Sequence, residues 1–230
     1  MALPADLARV LEAAARLQTL VPDAVLVGGT AAALHAGHRA SLDDDHVVQD
    51  LAARFDQVLS ALEATEGWIT ARVKRPMMIL GSLDGVETGV RNLIRERPLE
   101  VEERRVGGRS IRVPTLTEMS RIKAWLCLMR NSTRDYVDFA AIADRLGPSA
   151  AADAVLGMDD YYADQIGPGG RRLATQVAKQ LAQPMPHDLS MIDLKSYRSL
   201  DARWQNWEAV LDACRGVAMR VLDRAVQEPT

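Results

Sequence analysis

The chain has 230 residues, 48% of them hydrophobic and 26% charged, with a formal net charge of -3 at pH 7. This is ordinary globular composition, enough for one large domain or two modest ones, and it supplies no global attraction for nucleic acid although a local basic cleft stays compatible with it. No window approaches the uninterrupted apolar length that crosses a bilayer, so no membrane partner is expected.

Residues 5 to 19 place Leu7, Val10, Leu11, Ala14 and Leu17 on one stripe, which predicts an amphipathic helix. That spacing, with an acidic residue early, does not read as a signal peptide, and a soluble, cytoplasmic chain is expected. "DAVLVGG" reads as a short buried strand ending in glycines that lift the usual backbone limits. "TAAALHAG" is helical by propensity, with Thr30 as its cap and Gly37 as its stop. "HVV" is a weak strand signal, and residues 48 to 67 predict a helix with Leu51, Phe55, Val58, Leu59 and Leu62 on its apolar face.

From Trp68 to Val113 the pattern shortens into "WITARVK", "MMILGSL", "VETGVRNLI", "LEVEERRV" and "RSIRV", which read as strands and hairpins, the last pair joined through Gly107 and Gly108. After Pro114 nearly everything predicts helix. One segment opens with Thr115 and Glu118 at capping-box spacing and puts Met119, Ile122, Leu126 and Met129 on a stripe; the next offers the same box from Ser132 and Asp135. Further helices are expected near 149 to 158, 168 to 183 and 201 to 225, with an ordered connection over 183 to 199. Cys127 and Cys214 fall inside helical patterns and read as buried thiols in a reducing compartment. The fold class is α/β (α+β), with a sheet-containing domain over 1–114 and a helical domain over 115–230.

The stretch "VLVGGTAAALHAGHRASLDDDHVV" carries the chemistry. A glycine pair between a strand and a helix start turns backbone N-H groups into an open concavity that suits a phosphate. No Lys-Ser/Thr follows and no third glycine stands at dinucleotide spacing, which excludes both of those phosphate motifs. On a strand Asp43 and Asp45 share a face while Asp44 points away. Paired carboxylates repel unless a cation lies between them, and Mg²⁺ completes such a set with water and phosphate. The bland alternative is a solvated acidic loop. His35 and His38 straddle Gly37 with no cysteine near, which disfavours zinc; His46 reads either as a nucleotide contact or as packing beside the sheet.

"GGTAAALHAGHRASLDDD" resembles the motif of the minimal nucleotidyltransferases grouped with the AbiEii/AbiGii toxins, within the DNA polymerase β-like superfamily. "VPTLTEMSRIKAWLCLMRNSTRDYVDFAAI" is similar to that family's later region, so the likeness runs over roughly positions 20 to 147. The resemblance implies that Gly28, Gly29 and Thr30 hold a triphosphate, that Arg39 and Ser41 brace the segment and serve nucleotide binding, and that Asp43 and Asp45 are metal ligands and catalytic. It points also to Lys123 and Asp135 as catalytic, to Lys123 and Arg134 as nucleotide-binding, and to Asp138. The implied cofactor is Mg²⁺ or Mn²⁺, and the implied substrate a nucleoside triphosphate (NTP). The implied acceptor is a hydroxyl of an RNA, such as a tRNA, or of a protein, in a toxin-antitoxin or phage-defence setting with a cognate antitoxin protein as partner.

The expected third carboxylate falls in "LGSLDGVETGVRNL", where Gly89 stands instead of an acid. Glu87 shares its strand face and is the substitute metal ligand, with Asp84 the other candidate. A nucleotide-binding or partner-binding module that has lost catalysis, and a phosphotransferase on the same scaffold, are the alternatives. An RNA footprint, if any, is expected along Arg72, Lys74, Arg75, Arg91, Arg95 and Arg97.

Overall fold

The computed structural model describes residues 5–227 apart from Gly107 and Pro168. Two compact units form. The first comprises the chain up to Leu34 together with Ala40–Thr115, and the second His35–Arg39 together with the chain from Leu116 onward.

In the first unit the elements run α1 (Ala5–Leu20), β1 (Val25–Val27), the start of α2 (Gly28–Ala36), β2 (Asp44–Val48), α3 (Phe55–Glu63), β3 (Trp68–Lys74), β4 (Met78–Leu83), β5 (Val86–Asn92), β6 (Val101–Val106) and β7 (Arg109–Pro114). Five strands make a mixed sheet in the order β1-β2-β5-β4-β3, in which β2 and β5 are parallel and the other neighbours antiparallel. The parallel pair needs a crossover, and the long run from β2 through β3 and β4 supplies it. β6 and β7 form a separate two-stranded ribbon. One face of the large sheet is core: His46, Val48, Ile79, Leu83 and Val90 are buried there, and Leu17, Phe55, Val58 and Leu62 from the helices, with Val21 just after α1, join the cluster. β7 is tied to α1 by a reciprocal pair, in which Gln18 Nε2 donates to the Arg112 carbonyl at 2.9 Å and the Arg112 N-H donates to Gln18 Oε1 at 2.8 Å. That pairing satisfies the amide of a buried glutamine in the manner buried polar groups require.

Two local expectations are corrected. The helix expected over 48 to 67 breaks at Arg54, leaving a 3₁₀ turn over Leu51–Ala53 before α3. There Arg54 leaves helical geometry (φ -127°) and its side chain pairs with both Asp23 and Asp50. Thr30 is not a cap either, because α2 begins at Gly28; Gly37, at φ 65°, does end it. Of the glycine pair expected between the last two strands, Gly108 takes φ 82° and Gly107 lies outside the described residues.

The second unit is helical, with α4 (Leu116–Met129), α5 (Thr133–Leu146), α6 (Pro148–Leu156), α7 (Met158–Tyr161), α8 (Leu173–Ala182) and α9 (Trp207–Gln227). Its core gathers Tyr136, Phe139, Val155, Met158, Val177, Leu181, Val210 and Val217 with both thiols, Cys127 and Cys214, which are free and buried. Trp125 stacks on Tyr162 at 4.7 Å, a contact worth about 1 kcal/mol beyond its burial.

Two expectations here also change. On α4 the buried face holds Met119, Ser120, Lys123, Ala124 and Cys127, whereas Met129 is 59% exposed, so the apolar stripe is rotated toward a charged residue. The Ser132 side chain makes no cap on α5. Asp188 reaches in from the long connection instead, with Oδ1 accepting from the Thr133 N-H and hydroxyl, each at 2.7 Å.

Candidate functional site

In the first unit, Val27↔Asp45 pairing sets the end of β1 against β2, so the chain turns into α2 beside the acidic run. Gly28 takes φ 71°, and a β-carbon there would lie 3.4 Å from both Cβ and Oδ2 of Asp45. Glycine is favoured at this point by its backbone conformation, and an added β-carbon would stand in ordinary contact with the carboxylate. The Thr30 hydroxyl, fully buried, donates to the Asp43 carbonyl, and Ser41 Oγ donates to Asp43 Oδ1 at 2.9 Å. Thr30 and Ser41 thus brace the turn that carries Asp43, and the Thr30 hydroxyl is engaged with the protein instead of being held out for a triphosphate.

Along β2 the faces alternate. Asp45 is half-buried on the open side, while Asp44 and His46 are buried on the core side; Asp43, also half-buried, directly precedes the strand. His46 is therefore packing beside the sheet. Burial pushes the Asp44 carboxyl up to about 7, aided by Asp45 and Asp43 and opposed by the Thr88 hydroxyl, and burial pushes the His46 imidazole down to about 3. His46 Nδ1 stands 3.8 Å from Asp44 Oδ1, beyond hydrogen-bond reach.

The open face continues across the parallel pair. Asp45 stands opposite Gly89, which stands opposite Leu80 of β4, which stands opposite Arg72 of β3. A β-carbon on residue 89 would lie 2.4 Å from Leu80 Cδ2 and 2.8 Å from the Ile79 carbonyl oxygen, so Leu80 fills the place where a side chain from Gly89 would stand. Two residues along β5 in either direction, Glu87 and Arg91 share this face and are exposed. Arg91 Nε lies 3.5 Å from Asp45 Oδ1. Asp84 is engaged elsewhere, paired with Arg16 at the tight turn before β5. Asp43 and Asp45 supply oxygen ligands of the kind Mg²⁺ takes when it keeps water and phosphate in its shell. Among the described residues no three His, Cys, Asp or Glu side chains gather around one point.

Of the basic residues expected to form a groove, Arg72, Lys74 and Arg91 do lie on this open face. Arg75 pairs with Asp56 and sits over the Phe55 ring, and Arg95 is 3% exposed with its guanidinium donating to the carbonyls of Arg97 and Pro98. Arg95 leaves the groove because it is buried, and Arg75 is held by its pair with Asp56.

The remaining predicted residues belong to the second unit. Asp138 is fully buried and accepts from Arg39 Nε at 2.7 Å and Nη2 at 3.0 Å, from Lys123 Nζ at 2.7 Å, and contacts His38 Nε2 at 2.8 Å. Burial alone would raise its carboxyl, but Lys123, Arg39 and His38 hold it well below the usual carboxylate range. Asp135, also buried, takes a bidentate Arg130 at 2.9 and 3.0 Å, with Lys123 Nζ 3.9 Å away. Lys123 is thus a 2% exposed partner of carboxylates and not a point charge held out for phosphate, Arg39 is a clamp on Asp138, and Arg134 is exposed. Sequence reasoning missed Arg91 as the partner of Asp45 and His38 as a partner of Asp138. Period-two spacing from Gly89 marks the face of Arg91, but its neighbour across the sheet depends on a parallel pairing that no local pattern announces.

No family model matches the chain. It is 34% identical over 233 aligned positions, 96% of its length, to the heme uptake protein MmpL11 of Mycobacterium tuberculosis, and 32% identical over 118 positions to the mycolic acid-containing lipids exporter MmpL11 of Mycolicibacterium smegmatis. The chain spans 23% of the length of the first of these relatives and 12% of the second. Among solved structures, a Helicobacter pylori protein assigned as a nucleotidyltransferase superposes with a TM-score of 0.55 at 15% identity, covering 98% of this chain and 97% of that one. JHP933 from Helicobacter pylori superposes at 0.53 with 16% identity over 99% and 100%, and the antibiotic-resistance factor ANT(2'')-Ia at 0.52 with 13% identity over 69% and 94%. The mixed sheet with flanking helices is a nucleotidyltransferase-like fold.

Proposed function

We propose that this chain is a metal-dependent nucleotidyltransferase of the AbiEii/AbiGii kind, moving a nucleoside monophosphate from an NTP to a hydroxyl of an RNA, such as a tRNA, or of a protein. The observation that carries the reading is Asp45 on the open face of β2, with Asp43 just before the strand, beside the Gly28 turn at the start of α2. Asp43 and Asp45 would hold Mg²⁺ or Mn²⁺, and the bound ion would supply charge neutralisation for the triphosphate. Gly28 and Gly29 offer backbone donors to phosphate oxygens. Glu87, exposed on the same face of the sheet, is the proposed further metal ligand. A cognate antitoxin protein is the proposed partner.

A second reading is favoured by two observations, the Leu80-filled space over Gly89 and the likeness to segments of much longer transport proteins. In that reading the fold binds nucleotide without transferring it and works beside a membrane transport protein.

The test is binding followed by transfer. Calorimetry with each NTP should show Mg²⁺-dependent binding, and Asp43→Asn with Asp45→Asn should abolish that component while leaving the thermal melt in place. With α-labelled NTP offered to total RNA and protein, label in an acceptor that vanishes in the double variant establishes transfer. Metal-dependent binding with no labelled acceptor favours the second reading, and no metal-dependent binding by folded protein overturns both.

A further inference from the structure

We infer that Arg91 is a ligand of the α-phosphate of a bound NTP, on the side of Asp45 away from the glycine turn; this rests on the nucleotide-binding reading above. The strand registers set the direction. β1 meets β2 with Val27 opposite Asp45, so the chain passes on into Gly28 and Gly29 toward the Asp43 end of the acidic run, whereas Arg91 stands opposite Val47, two residues from Asp45 the other way. Two residues of strand span roughly 7 Å. The Arg91 side chain reaches back across them and brings Nε to 3.5 Å from Asp45 Oδ1, while Oδ2 of the same carboxylate faces Gly28. Asp45 therefore lies between the turn and the guanidinium. Glu87 does not share the Arg91 side: it lies two residues from Gly89 in the opposite direction, next to Thr88, which pairs with Asp44, so the carboxylates stand at one end of the face and the guanidinium at the other.

The Arg91 head group is poorly matched by the protein. Of its five donors, Nη1 meets the Met78 thioether at 2.8 Å, a weak acceptor, and Nε meets Asp45 at the limit of hydrogen-bond reach; among the described residues it makes no other hydrogen bond. Lys123 and Arg39, the cations that the resemblance offers to a nucleotide, are committed to Asp138. With Gly28 and Gly29 donating to the β- and γ-phosphates, the α-phosphate comes beside Asp45, and the planar fork of Arg91 suits two phosphate oxygens better than it suits a sulfur.

The experiment compares two phosphate anions on the full chain. In calorimetry with Mg²⁺ present, Arg91→Met should weaken binding of a non-hydrolysable NTP analogue by about tenfold and leave that of inorganic pyrophosphate within about twofold, because pyrophosphate sits at the glycine turn. Arg91→Lys, which keeps the charge and loses the fork, should fall between Arg91→Met and the wild type. An unchanged NTP affinity, or equal losses for both anions as a mere neutraliser of Asp45 would give, overturns the assignment and leaves the nucleotide-binding reading standing. No NTP binding by folded wild-type protein overturns both. Should pyrophosphate bind too weakly to titrate, the ³¹P resonances of the bound NTP analogue decide: Arg91→Met should move the α resonance and leave the γ resonance in place, and a shift of all three alike overturns the assignment.

Discussion

Lys123 Nζ lies 2.7 Å from Asp138 Oδ2, and the two side chains are 2% and 0% exposed. Asp138 is the centre of this arrangement, because Arg39 and His38 converge on the same carboxylate. Removing it takes the shared carboxylate from Arg39 and His38 and leaves Lys123 with Asp135 at 3.9 Å, whereas removing Lys123 leaves Asp138 still bound by the other two. Asp138→Asn should therefore cost about 3–5 kcal/mol of stability, and Lys123→Met clearly less. Urea denaturation of the two variants checks the asymmetry, and equal losses would show that the charges act as independent pairs.

The core side of β2 predicts an unusual pH dependence. Asp44 titrates at about 7 when folded against 3.8 for an ordinary aspartate, so the native state binds extra protons between those values, and this contribution to stability is lost as pH rises through that window. His46 titrates at about 3 against an ordinary 6.5, so the native state binds fewer protons and its contribution grows as pH rises from about 3 to 6.5. The two slopes oppose each other over the shared range. Asp44→Asn removes the falling one, and the variant should gain on the wild type as pH climbs from about 4 to 7, by an amount on the order of a few kcal/mol. Denaturation curves at pH 4, 6 and 8 measure the gain; a difference that does not change with pH would refute this account.

At the start of α5, the cap comes from a residue more than fifty positions along the chain. Asp188→Ala should cost about 1 kcal/mol by freeing the Thr133 N-H, while Ser132→Ala, whose side chain makes no cap bond, should be nearly neutral. The reverse order in thermal melts would place the cap where the local sequence pattern suggests it.

Much of the molecule was legible because its signals are local. Period-two alternation separated Asp45 from Asp44 before any strand partner was known, since adjacent residues on a strand must point to opposite faces, whereas Asp43 stands just ahead of the strand. The glycine pair announced the turn after β1, and the short strands from Trp68 onward announced the sheet, because backbone freedom and side-chain period act over a few residues. Only the tertiary structure decided who meets whom. Asp188 displaced Ser132 as a cap, Lys123 turned inward because Asp138 and Asp135 stand on the next helix to neutralise it, and Leu80 closed the space over Gly89 through a pairing between strands that are neighbours only in the folded sheet. In each case a buried group took the partner that satisfied its charge, hydrogen bond or volume, and those partners are chosen by the packing of distant segments, which spacing along a chain does not encode.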